Sequence, residues 1–139
     1  MTLGALFQSR FLRFALVGVG GFVVDSVVLG AMLHLLHLDP YSGQLIAFLV
    51  AATFTWWANR NLTFADRAAA GTKSIAAEWI AFLAANALGG LANYAVYASL
   101  VALAPQPFNN PYLAVGAGSI AGLMFNFTMS SRLVFREKK

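Results

Sequence analysis

The sequence predicts an all-α integral membrane protein of four transmembrane helices, and three observations carry that reading. Four apolar segments, residues 11–38, 44–64, 79–104 and 112–135, each approach or exceed the roughly 20 residues that span a bilayer core. The apolar fraction is 60% and the charged fraction 10%. A soluble domain has about 25% charged residues, so a soluble chain of this composition lacks the polar surface to cover itself. All nine Lys and Arg fall at one end of the segments. Cations near span ends are retained in the cytoplasm during insertion, which predicts that both termini are cytoplasmic.

The first segment follows a short amphipathic stretch, Leu3 to Phe14, carrying Arg10 and Arg13. That stretch is expected to lie partly on the inner surface and run into the first span. The segment is too long for a signal-peptide core and three more follow, so it reads as a retained helix. Asp39-Pro40 punctuates its outer connection. The second segment ends with Arg60. A polar linker, residues 65–78, adds Arg67 and Lys73 and is too short to fold alone. Glu78 is expected at the N-terminus of the third span, where the helix dipole favours an acid. Pro105, Pro107 and Pro111 mark the second outer connection, and Arg132, Arg136, Lys138 and Lys139 follow the fourth segment.

The halves look like tandem repeats. Asp25 in Gly20-Gly-Phe-Val-Val-Asp25 aligns with Asn93 in Gly89-Gly-Leu-Ala-Asn93. Phe54, Trp56, Leu62 and Phe64 of the second segment match Phe125, Phe127, Leu133 and Phe135 of the fourth. Two-helix units that begin and end inside share an orientation, so these are parallel repeats related by an axis along the membrane normal.

Asp25 is the sharpest chemical signal. It lies twelve residues beyond Arg13, about 18 Å deeper at helical rise. A carboxylate at that depth costs about 2.5–3.5 kcal/mol to insert. Such groups face a bundle interior or a wet cavity. The plainer alternative is an Asp held by a neighbouring amide or kept protonated. Each segment also has a polar or small-residue face at helical spacing: Gly18, Gly21 and Asp25; Thr55 and Asn59; Asn86, Gly90 and Asn93; Ser119, Gly122, Asn126 and Ser130. The glycines suit helix packing, Gly118-x-x-x-Gly122 above all. Asn86, Asn93 and Asn126 suit either interhelical bonding or ligand binding.

Arg60 and Arg132 close the even-numbered segments at headgroup level. They serve as snorkelling anchors or as phosphate-binding guanidinium forks. Trp56 and Trp57 read as interfacial aromatics. His34 and His37 make an incomplete metal set and read as solvated loop residues. The chain has no cysteine, which removes thiolate sites. No catalytic Ser/His/Asp set, phosphate-binding glycine loop or carboxylate pair points to an enzyme, and no cofactor is called for. Cations at span ends, rather than on a soluble basic module, argue against nucleic-acid binding and for contact with anionic membrane lipids.

The stretches Phe11-Leu-Arg-Phe-Ala-Leu-Val-Gly-Val-Gly-Gly-Phe-Val-Val-Asp25 and Trp56-Trp-Ala-Asn-Arg-Asn-Leu-Thr-Phe64 resemble the GtrA-like family of small four-span proteins. The ending from Asn126 to Phe135 is similar to the family's fourth span. The resemblance covers nearly the whole chain, 1–139, as one domain. At the end of the second span the family often has two consecutive basic residues, whereas Asn61 follows Arg60 here. The resemblance implies flipping of a polyprenyl-phosphate-linked monosaccharide across the bacterial cytoplasmic membrane, or assistance to that step, for cell-surface polysaccharide synthesis. It carries Asp25, Asn59, Arg60, Asn126 and Arg132 as site residues; Asn86 and Asn93 join them from the polar-face reading. Four short helices enclose little volume, which favours a homodimer. Two other functions stay open: a non-transporting anchor that recruits a glycosyltransferase, and a small proton-coupled exporter of multidrug type.

Overall fold

The computed structural model describes residues 2–137, and within them every side chain except those of residues 3, 6, 40, 41, 111, 112 and 115. Lys138 and Lys139 lie outside the described residues. The described chain is helical throughout its ordered elements: α1 Leu3–Gln8, α2 Arg10–His34, α3 Pro40–Ala58, α4 Thr72–Leu103 and α5 Pro111–Met129.

The boundaries follow local chemistry. The amphipathic N-terminal stretch does not run unbroken into the first span. Ser9 adopts an extended backbone and its hydroxyl accepts the Leu12 N–H at 3.4 Å, so α2 starts afresh at Arg10. Asp39 caps α3 by accepting the Ser42 N–H at 3.0 Å, with Pro40 at the first helical position. Gly71, at φ 88°, turns the chain into α4. That helix begins at Thr72, seven residues before the apolar run that announced it, because its first two turns are polar. Glu78 therefore lies well inside the helix and not at its N-terminus.

α2 and α4 are long and apolar enough to cross a membrane, yet only 11% and 22% of their apolar windows are buried. A core helix of a soluble protein would be mostly buried. Phe22, Val23 and Val27 on α2 and Ile80, Leu88 and Leu91 on α4 point outward. Such a belt is stable against hydrocarbon and not against water.

α2 packs along α3, and α4 along α5, as two antiparallel hairpins. The hairpins meet chiefly at the cation-bearing end, hereafter the basic end. There α3 continues into a π-helical turn, Asn59–Thr63, and α5 into another, Ser130–Val134. Each closes with the same wide hydrogen bond, Phe64 N–H to Asn59 O at 2.8 Å and Phe135 N–H to Ser130 O at 2.7 Å. The extra residue in the turn swings the following phenylalanine inward. Phe64 and Phe135 stack on each other, centroids 4.8 Å apart and planes 10° apart, with no solvent exposure. Phe82 meets Phe135 edge-on at 6.2 Å, and Phe14 meets Phe64 at 6.3 Å. Phe127 adds edge contacts to Phe11 and Phe14.

Phe64→Ala and Phe135→Ala should each destabilise the bundle by about 3–5 kcal/mol. Because the rings share one contact, the double variant should lose clearly less than the sum. Thermal unfolding in detergent micelles measures this, and strictly additive losses would mean that the rings act independently.

Candidate functional site

Between the hairpins lies a cavity of about 340 Å³ to which all four long helices contribute. Asp25 comes from α2, Gln44 and Asn59 from α3, Asn86 from α4 and Asn126 from α5. Four of the seven polar residues singled out in the sequence are thus brought together. Phe14 and Phe82 close the cavity at the basic end, and its opposite end reaches the exposed Gln44.

The depth of Asp25 is set by the register of α2 on α3. Gly43 seats against Leu29, Met32 and Leu33, and Gly21 against Thr55. That register places Asp25 opposite Ala51 and Ala52, midway along the path from Pro40 to Thr63. Its carboxylate accepts the Gln44 Nε2–H at 3.2 Å. Gln44 was treated only as the edge of a span; an amide one turn inside an outer helix start was the available signal.

The asparagines differ in what they do. Asn59 Oδ1 accepts the Thr63 hydroxyl at 2.7 Å, a bond that braces the π-helical turn. Asn86 Nδ2 donates to Phe82 O at 3.2 Å. Asn126 Oδ1 is buried and makes no hydrogen bond. Its amide occupies the space a side chain at Gly89 would need. Asn93 is not in the cavity. It fills the gap over Gly118 and Gly122, its Oδ1 2.6 Å from where a β-carbon on Gly118 would stand. It joins α4 to α5 by close packing.

Neither Arg60 nor Arg132 lines the cavity. Arg60 is bound internally: its Nη1 donates to Glu78 Oε1 at 2.7 Å and its Nη2 to Ala69 O. Glu78 is the larger surprise. Its carboxylate, 3% exposed, also accepts the Trp56 indole N–H at 3.0 Å and the Ala69 backbone N–H at 2.7 Å. One acid on α4 thereby holds α3, the π-helical turn and the linker. Trp56 is therefore a buried donor and not an interfacial aromatic, whereas Trp57 is exposed. Arg132 is exposed in a basic groove with Arg67 and Arg136. In the repeat register that aligns Phe64 with Phe135, Arg60 pairs with Ser131 and Arg132 with Asn61.

A second ionic set ties the chain segments at the basic end. Arg10 holds Asp66 through both guanidinium nitrogens, at 2.9 and 2.8 Å, and Arg67 bonds Glu137 at 2.7 Å. The Arg10 hydrogen bonds hold the Asp66 carboxyl well down, at about 2. This depressed value means that the pair contributes above the ordinary carboxylate range and is lost as pH falls through about 2. Both groups are solvated, so the contribution is small. His34 and His37 are exposed at the opposite end. Among the described residues no group of His, Cys, Asp or Glu is arranged to hold a metal ion.

Apolar, outward-facing helices around a polar cavity define a membrane protein with an internal binding site. The chain belongs to the GtrA/DPMS transmembrane domain family, whose model matches residues 13–138. Membership links it to the handling of polyprenyl-phosphate sugars at a membrane. No curated protein matches it.

Glu78→Gln leaves the Arg60 guanidinium without a counter-ion and should lower stability by about 3 kcal/mol. Arg60→Gln in the same chain should restore part of that loss. Melting of the purified single and double variants tests the pair; equal melting of Glu78→Gln and the parent would remove it as a structural element.

Proposed function

We propose that this protein moves a polyprenyl-phosphate-linked monosaccharide across the bacterial cytoplasmic membrane. In this reading all four long helices span the bilayer as two tandem parallel repeats, and both termini are cytoplasmic. The charge asymmetry supports that topology. So does a set of equivalent contacts: Phe14 and Gly21 stand on α2 as Phe82 and Gly89 stand on α4. Phe14 and Phe82 join the Phe64–Phe135 stack, while Gly21 meets Thr55 as Gly89 meets Asn126.

The observation that carries the function is the cavity between the hairpins. Its volume of about 340 Å³ is at the small end of ligand sites, a scale suited to one sugar ring. Asp25, Asn86 and Asn126 offer acceptors and donors to hydroxyl groups, and the buried Asn126 oxygen lacks a partner of its own. Asn59 braces the floor, and Asn93 sets the α4–α5 distance. The basic end, with Arg132 and Arg136 exposed, concentrates anionic lipid carriers at the inner leaflet. Arg60 acts through Glu78, keeping that end closed. The sugar crosses through the polar interior while the isoprenoid tail stays in lipid, which spares the hydroxyls a full desolvation.

One observation favours a second reading. The cavity lining contains one carboxylate and no cation, which also suits a small proton-coupled exporter of organic cations. Reconstituted vesicles separate the two readings. A labelled polyprenyl phosphosugar should move across the bilayer only when the protein is present, and a quaternary ammonium probe should not. Movement of the cation alone would establish the exporter, and movement of neither would leave a membrane anchor. Asp25→Asn should slow sugar movement by about tenfold or more, the worth of a lost hydrogen bond to a charged group, at unchanged melting temperature. Full activity of that variant would reduce Asp25 to a packing residue.

A further inference from the structure

The half-buried arginines at the basic end are not alike. Arg10, Arg60 and Arg67 each have a carboxylate within 2.9 Å. Arg13 has no ion pair among the described residues, and its Nε is buried without a hydrogen-bond partner. A guanidinium withdrawn from water and left without an anion is unfavourable, so the site is complementary to an anion supplied from outside the chain.

The surroundings of Arg13 say what kind. It stands at the head of an apolar groove of about 510 Å³ on the outer side of the α2–α3 hairpin. Leu16 and Val17 of α2 form one wall, Phe54 and Leu62 the other, and Phe7 of α1 covers the mouth. Gly20 forms the far end, where an added β-carbon would come within 3.3 Å of the Phe54 ring. From Arg13 to Gly20 the groove follows α2 for about 10 Å. The charge thus lies at headgroup level and the apolar walls run straight into the hydrocarbon. The polar cavity opens on another face of the same helix, past Gly18, Gly21 and Asp25. A single phosphate on a single long chain matches the groove in charge, direction and width.

We infer that this groove docks the polyprenyl phosphate end of the lipid carrier, with Arg13 on the phosphate and the first isoprene units against Leu16, Phe54 and Leu62. The inference rests on the transport reading above and deepens it by assigning the carrier a place separate from the sugar cavity. Arg13 supplies a planar donor fork that a lysine does not. α2 then separates the two parts of the substrate, tail on one side and sugar on the other.

The test uses the full chain purified in a non-ionic detergent and a photoreactive polyprenyl monophosphate carrying no sugar. Binding should label the α2–α3 hairpin and be competed by unlabelled polyprenyl phosphate. Competition by polyprenol, which lacks the phosphate, or by a diacyl phosphatidic acid should be weaker by about tenfold or more. Arg13→Gln should reduce labelling by about the same factor, and Arg13→Lys should recover only part. Leu16→Trp, at an exposed position that tolerates bulk, should block the groove while leaving the Arg13 charge in place. Arg132→Gln should label like the parent. Full labelling of both Arg13→Gln and Leu16→Trp would overturn the site. Equal competition by phosphatidic acid would make it a general phospholipid contact and overturn the assignment to the carrier. Transport in vesicles with no labelling of the parent chain would defeat this site and leave the function standing. Labelling that depends on Arg13 without sugar transport would do the reverse.

Discussion

In a bilayer, apolar helices gain nothing by hiding from one another, because the tails around them are equally apolar. Two such hairpins stay together only through close packing and polar bonds, and here both are gathered at the basic end. Phe64 and Phe135 are delivered face to face by matching π-helical turns. Beside them Glu78 collects donors from Trp56, Arg60 and Ala69. The aromatic stack fixes the distance between hairpins, and the carboxylate fixes their rotation and the path of the linker. Either element alone would leave the helices free to slide.

The cavity is a consequence of that placement. With the hairpins joined at one end, their middles stand apart, and polar side chains facing the gap have room and partial water access. Tight helix contacts within each hairpin keep the gap between hairpins and not inside them: Thr55 sits over Gly21, and the Asn126 amide over Gly89. A β-carbon at either glycine would push its hairpin open. The same geometry gives α2 two working faces, one toward the polar interior and one toward the lipid-side groove below Phe54. A carrier lipid with a polar head and an apolar tail meets both without leaving the helix.

Much of this was legible in the residues. Apolar length and cation placement gave the helices. Helical spacing gave the faces on which Asp25, Asn59, Asn86 and Asn126 converge. The match of Phe64 to Phe135 anticipated two turns of the same kind. What spacing does not contain is the identity of the neighbour. Asn93 carries the same face signal as Asn86, yet it lies against Gly118 because α5 approaches more closely there. Arg60 read as a free phosphate ligand because its counter-ion is eighteen residues away on another helix. Glu78 read as a helix-end acid because hydropathy located the start of the apolar run and not the start of α4. Arg13 looked like any anchoring cation, and only the absence of a carboxylate near its guanidinium sets it apart.

A closed basic end and an open opposite end have a direct physical signature. The chain contains no cysteine, and Gly18, on the cavity wall, has space for a side chain. In oriented vesicles a cysteine at position 18 should react with a membrane-impermeant thiol reagent applied to the outer face. Lipid-linked sugar should protect it. Reaction from the cytoplasmic face alone would contradict a cavity sealed by Phe14, Phe82 and the Phe64–Phe135 stack.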